Sequence, residues 1–234
     1  MACGNRKVKS AARFHDGNRI NKKLHLLFLI IIMPQELIHL GNITTSRAEL
    51  KDILKAWIVI SVAFAILLSK SIFSSEIYSN FIISSLTVGI GFLFHELSHK
   101  ILAQKYGCSA EFRSFDSMLF LSLAMSFFGF VLAAPGAVMI SGRVSKTNNG
   151  KISAAGPIVN LILAIAFLIL IFMPLPKLFK GVGYYGFLIN SWLALFNMIP
   201  FWIFDGYKIL KWNKWVYGSI VSIALTFMLM QKFL

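Results

Sequence analysis

Charge is what this chain has least of. Only 14% of its 234 residues are charged, against about a quarter in ordinary soluble domains. Acidic groups are the scarcest: nine Asp and Glu stand against 23 Lys and Arg. Glutamate disappears after Glu111, and beyond Asp116 the one remaining acidic residue is Asp205. Cysteine is nearly absent. Cys3 and Cys108 offer neither a disulfide framework nor a zinc-ligand spacing, and they read as two free thiols. No internal repeat, low-complexity tract or polar stretch long enough for an inserted soluble domain interrupts the chain. These absences argue against a soluble domain, a disulfide-stapled scaffold and a transporter built on repeat symmetry.

What is there is apolar length. Hydrophobic residues make up 57% of the chain, with a mean hydropathy of +0.74, and they fall in runs that approach the ~20 residues needed to cross a bilayer. Spans are expected at 56–73, 81–102, 152–173 and 182–204, with a shorter one at 215–230. A further stretch, 118–140, is interrupted by Gly129, Pro135 and Gly136. The expected fold is an α-helical polytopic membrane protein of about five to six transmembrane helices with a re-entrant, β-containing segment. Its parts are a basic cytoplasmic arm over 1–45, a membrane core over 46–210 and a C-terminal transmembrane helix over 211–234. Within the arm, the apolar run 24–33 is too short to span and lacks a small-residue cleavage site. It reads as an interfacial segment rather than a cleavable signal.

The net charge of +14 does not point to nucleic acid. A nucleic-acid binder gathers its basic residues on one soluble face, whereas here they sit between apolar runs as flanking charges. By the positive-inside rule the arm lies in the cytoplasm, since the Lys and Arg before the first span, ending in Lys51 and Lys55, gather on that side. The second span returns there at Lys100, Lys105 and Arg113. If 118–140 dips in and comes back, Arg143, Lys146 and Lys151 are cytoplasmic too, leaving only Lys70, Lys177, Lys180 and Lys232 outside. A full crossing would dissolve that asymmetry. The protein is thus expected in the cell membrane, multi-pass, with the lipid bilayer as a partner and no nucleic acid.

One motif carries chemistry. His95-Glu96-Leu97-Ser98-His99 reads H-E-x-x-H inside an apolar span. Residues four apart share a helix face, so both imidazoles reach one metal ion. The intervening Glu96 stands beside it as a general base for a metal-bound water. Ionisable groups at that depth are costly and mark functional sites. An open catalytic site needs a third ligand. Asp205 is the downstream acid at matching depth, since it precedes Lys208 as His99 precedes Lys100; its bland reading is an Asp-Gly turn before Gly206. Asn197, upstream of Pro200, either donates to a developing oxyanion or bonds between helices. Gly156-Pro157-Ile158-Val159-Asn160 opens a span, and packing is the leading reading for its small residues, as for Gly89 and Gly91.

The set of motifs resembles the site-2 protease family of intramembrane zinc metalloproteases, in its compact microbial form without a PDZ domain. The matching pieces are His95-Glu96-x-x-His99, Asn197-x-x-Pro200-x4-Asp205-Gly206, Gly156-Pro157-x-x-Asn160 between them, and Ala134-Pro135-Gly136; together they cover roughly 46–210. Where the family often has Leu-Asp-Gly followed by a second Gly, this chain has Phe204-Asp205-Gly206-Tyr207. The resemblance implies one zinc per chain on His95, His99 and Asp205, and Glu96 as base and later proton donor. It also implies Asn197 at the oxyanion, and Asn160, Pro135 and Gly136 in substrate binding. The substrates it implies are single-span membrane proteins, cut near the cytoplasmic side. Prenyl-protein and heat-shock-type membrane proteases take a downstream Glu as third ligand, and this chain has no Glu after Glu111. A metal-binding protein without catalysis would not need Glu96.

Overall fold

The computed structural model describes residues 37–41, 43–131 and 135–234. The basic arm's apolar run 24–33, Cys3 and Ala134 lie outside the described residues. Two strands, β1 (Leu37–Leu40) and β2 (Ile43–Ser46), pair antiparallel across a turn at Gly41, where φ is +62°. They lead into α1 (Arg47–Ser69), whose N-terminus is capped by Ser46: its Oγ accepts from the Glu49 amide at 3.1 Å.

A long helix, α2 (Ile77–Lys105), returns beside α1. Its middle turn, Ser85–Gly89, is a π-helical bulge, a common way to re-aim the turns that follow. The Ser85 carbonyl there accepts from the Trp57 indole at 3.2 Å. Gly89 lets α1 approach, since a Cβ would fall 2.6 Å from Trp57 Nε1.

Next come β3 (Ser109–Ser114), α3 (Asp116–Ser126) and β4 (Gly136–Ser141). β3 and β4 pair antiparallel, from Ser109 opposite Ser141 to Ser114 opposite Gly136. The chain between them therefore leaves and comes back to the same place. α3 has 11 residues, roughly 16 Å of helix, short of the ~30 Å of a bilayer core.

Three helices follow: α4 (Lys146–Phe172), α5 (Lys177–Asn197) and the short α6 (Asp205–Trp212). α7 (Lys214–Met230) closes the chain, capped by Asn213 Oδ1, which accepts from the amides of Trp215 and Val216 at 2.9 and 3.2 Å. α4 and α5 touch closely through Gly183 and Gly186, which face Ile171 and Phe167. One apolar core joins α1, α2, α3, α5 and β3 around Phe92, Phe112 and Ile189; a second joins α4, α5, α6 and α7 around Ala154, Met198 and Ile209.

Among the described residues four helices are long and apolar enough to cross a membrane: α1, α2, α4 and α7, the last with its 3-10 extension to Phe233. Large apolar side chains face outward on them, such as Ile162, Ile169 and Phe172 on α4, as lipid-facing surfaces do. The span expected over 182–204 is different here. α5 is long enough but less apolar, it carries buried Asn190 and Ser191, and it ends at Asn197. Pro200 has no N–H to continue the helix, so 198–204 runs as a non-helical link into α6.

Lys100, expected among the surface-facing charges, is only 2% exposed. Its ammonium pairs at 2.5 Å with Glu49, itself fully buried. Glu49 also accepts from Thr45 Oγ1 at 2.7 Å and from the Phe112 amide at 2.9 Å. This cluster fastens α1, α2 and β3 together, a tie that flanking-charge rules do not see.

Candidate metal centre

The last turns of α2 carry His95, Glu96 and His99. Four residues of helix bring the two imidazoles edge to face, with ring centroids 4.7 Å apart. Each Nε2 faces the same oxygen of Asp205: His95 Nε2 to Oδ2 is 3.3 Å and His99 Nε2 to Oδ2 is 3.1 Å. Both histidines are buried.

The other ring nitrogens are tied to α4. His99 Nδ1 lies 2.8 Å from the Ile152 carbonyl, and His95 Nδ1 lies 2.6 Å from Asn160 Oδ1. A carbonyl oxygen only accepts, so both Nδ1 atoms carry the proton and donate. With neutral rings, both Nε2 lone pairs then point at a carboxylate oxygen. Three acceptors converging in a buried place repel one another unless a proton or a metal cation stands between them. Ligand atoms ~2.0–2.1 Å from a tetrahedral ion sit roughly 3.3 Å apart, close to the separations found. His95, His99 and Asp205 thus form a group that fits a zinc ion.

Asp205 is the first residue of α6, not part of an Asp-Gly turn. Gly206 follows because a Cβ there would run into the Met198 backbone, and this close approach seats α6 against the end of α5. Burial opposes the charged Asp205 carboxylate, and the neighbouring His99 and His95 imidazoles offset this only when protonated or when a cation stands between them and the carboxylate. The helix N-terminus favours the same charged form. Its second oxygen, Oδ1, faces Lys208 at 3.8 Å.

The group opens on a cavity of about 450 Å³. Glu96 lines it and accepts from the Val138 amide of β4 at 3.1 Å. Asn197 lines it as well, with its Nδ2 donating to its own helix at Leu193 O, 2.9 Å. Gly136 is on the wall, and its missing side chain also leaves room for Phe112 and the Arg113 carbonyl on β3.

Two expected substrate contacts sit elsewhere. Pro135 is buried and, among the described residues, does not line the cavity; its carbonyl accepts from the Phe115 amide at 2.8 Å. Asn160 is fully buried behind His95 rather than in front of it. Gly156, read as a packing residue, packs against the two histidines of the candidate metal group. A Cβ there would lie 2.5 Å from His95 Cε1 and from His99 Nε2. Asn190 escaped the sequence reading; the visible signal was a lone amide within a span, which needs a partner.

No family model matches the chain, and no solved structure matches it. Over 180 residues it is 41% identical to a protein of Methanocaldococcus jannaschii named "Putative zinc metalloprotease", a stretch covering 75% of this chain and 94% of that protein. With such identity along nearly the whole of the relative, the chain belongs to the zinc metalloprotease family of that archaeal protein.

Proposed function

We propose that the protein is an intramembrane zinc metalloprotease of the site-2 type that hydrolyses peptide bonds of single-span membrane proteins. The observation that carries this reading is the meeting of His95, His99, Asp205 and Glu96 at one cavity, whose wall is the edge of a β-strand. His95, His99 and Asp205 would hold a zinc ion, which when bound would lower the pKa of a water toward ~7 and polarise the scissile carbonyl. Glu96 takes the proton of the attacking water as its oxygen bonds to the carbonyl carbon. As the C–N bond breaks, Glu96 returns that proton to the leaving nitrogen. Asn197 stands on the cavity wall where a donor to the oxyanion is useful.

β4 supplies the means to hold an unwound substrate. In an antiparallel ladder, opposite residues alternate between pairs that exchange hydrogen bonds and pairs that do not. Phe112 and Val138 are opposite, yet their amides go outward to Glu49 and Glu96. The outward positions of β4 are therefore Gly136, Val138 and Ile140, all on the cavity wall. A substrate helix hides its carbonyls in its own hydrogen bonds; once unwound, it can add to this edge as a further strand.

The topology reading rests on the same contacts. The Ile152 carbonyl bonds His99, and the basic start of α4 (Lys146, Lys151) thereby meets the basic end of α2 (Lys105). That supports a re-entrant 118–140 and a cytoplasmic placement of this end by charge bias.

The test uses purified protein with a single-span reporter. Cleavage should stop when zinc is chelated and return when it is restored. Glu96→Gln should keep about one zinc per chain, by this ligand count, yet lose cleavage. Near-normal activity in Glu96→Gln would reject the mechanism. Full zinc retention in Asp205→Ala would reject the ligand set.

A further inference from the structure

We propose that Asn160 is the positioning residue for His95, and that Asn190 holds Asn160 in the orientation this requires. The inference rests on the metal site proposed above. The orientation of the Asn160 amide follows from its surroundings. Its Nδ2 lies 3.2 Å from the Gly91 carbonyl and 3.0 Å from Asn190 Oδ1, two acceptors. Its Oδ1 is thereby left to face His95 Nδ1 at 2.6 Å. Asn190 is fixed in turn, because its own Nδ2 donates to the Gly186 carbonyl at 2.9 Å. Both amides are fully buried.

The result is a one-directional chain of hydrogen bonds across three helices. From its far end it runs through the Gly186 carbonyl and Asn190 on α5 to Asn160 on α4 and His95 on α2. Each link admits only one donor sense, so the last must receive a proton from His95 Nδ1. The chain selects one neutral tautomer and turns the Nε2 lone pair toward Asp205. His99 needs no such device, since a fixed backbone carbonyl does the same work. Gly91 is part of the arrangement: a Cβ there would lie 2.5 Å from Asn190 Oδ1. Neither asparagine touches the cavity, so both act through His95.

The test compares Asn160→Leu, Asn160→Asp and Asn190→Ala in the full-length protein. Zinc affinity is read by competition with a chromophoric chelator, beside the thermal unfolding of the zinc-free protein. Asn160→Leu keeps the bulk and removes the acceptor, and zinc affinity should fall about 10–100-fold, as for outer partners of metal histidines. Asn160→Asp restores an oxygen acceptor and should recover most of that loss, which a merely space-filling role would not produce. Asn190→Ala should fall in between. Nitrogen NMR of labelled histidine in the zinc-free wild type should show His95 as the Nδ1–H tautomer, a reading that needs no variant to fold. A wild-type His95 whose Nδ1 carries no proton, or wild-type zinc affinity in Asn160→Leu, would overturn the proposal. Wild-type protein that binds no zinc at all would instead overturn the function on which it rests.

Discussion

Gly156 shows how a residue with no side chain controls a metal site. Its Cα faces the gap between two imidazoles, and any Cβ would intrude on the atoms meant for zinc. Gly156→Ala is expected to weaken zinc binding at least about tenfold, in the range of other outer-shell changes, with all three ligands intact. Zinc content after dialysis at fixed free zinc checks this. The candidate metal-binding group was legible in the sequence because acids and histidines are so few: two histidines at helical spacing and one acid left beyond Asp116. Glu96 came with the motif. Asn160 and Gly156 were visible as a motif, but their direction was not. Whether an amide lies before or behind a ligand depends on how α4 rolls against α2, and a local pattern does not encode that. The buried pair of Glu49 and Lys100 was hidden for the same reason, since its partners are 51 positions apart.

Helices and strands add their own lessons. The candidate spans α1, α2, α4 and α7 were readable from apolar length alone, although α1 begins nine residues before its expected start. α5 was overextended, because the apolar run continues through Pro200 while the backbone does not. The β3–β4 pair was anticipated only as a β-containing segment, its register being fixed by Phe112 and Val138 meeting across the ladder. Ile140 is an outward position on β4, so Ile140→Pro removes an outward N–H while sparing the bonds to β3. Cleavage efficiency on a single-span reporter should fall roughly fivefold, the worth of one hydrogen bond at ~1 kcal/mol, with zinc content unchanged. Unchanged efficiency would remove strand addition from the mechanism. The Glu49–Lys100 tie predicts a different outcome. Glu49→Gln leaves a buried ammonium without its counter-charge and should cost ~3–5 kcal/mol of stability, whereas Glu49→Leu with Lys100→Met should recover most of it. Thermal unfolding in detergent distinguishes the two.

At the scale of the whole molecule, the site sits where α2 ends and α4 and α6 begin. All three ends carry lysines: Lys105, Lys146 and Lys208. With this end cytoplasmic, a cysteine placed at Ser145, after Cys3 and Cys108 are replaced, should resist an impermeant reagent added outside intact cells. Ready labelling from outside would turn 118–140 into a full crossing. Cuts should map to the cytoplasmic part of a substrate span and quicken when a Gly pair there lowers the unwinding cost, by ~1 kcal/mol per Gly. Mass spectrometry of the released fragment reads both.

The metal group draws its ligands from α2 and α6, and α4 braces both imidazoles without contributing one. This sets a timetable for the newborn chain. His95 and His99 leave the ribosome early, their brace follows, and Asp205 emerges about a hundred residues after them. At ~5–20 residues per second that interval is roughly 5–20 s. Throughout it the nascent chain holds two of the three groups, and hydrolysis of the proposed kind has to wait for Asp205.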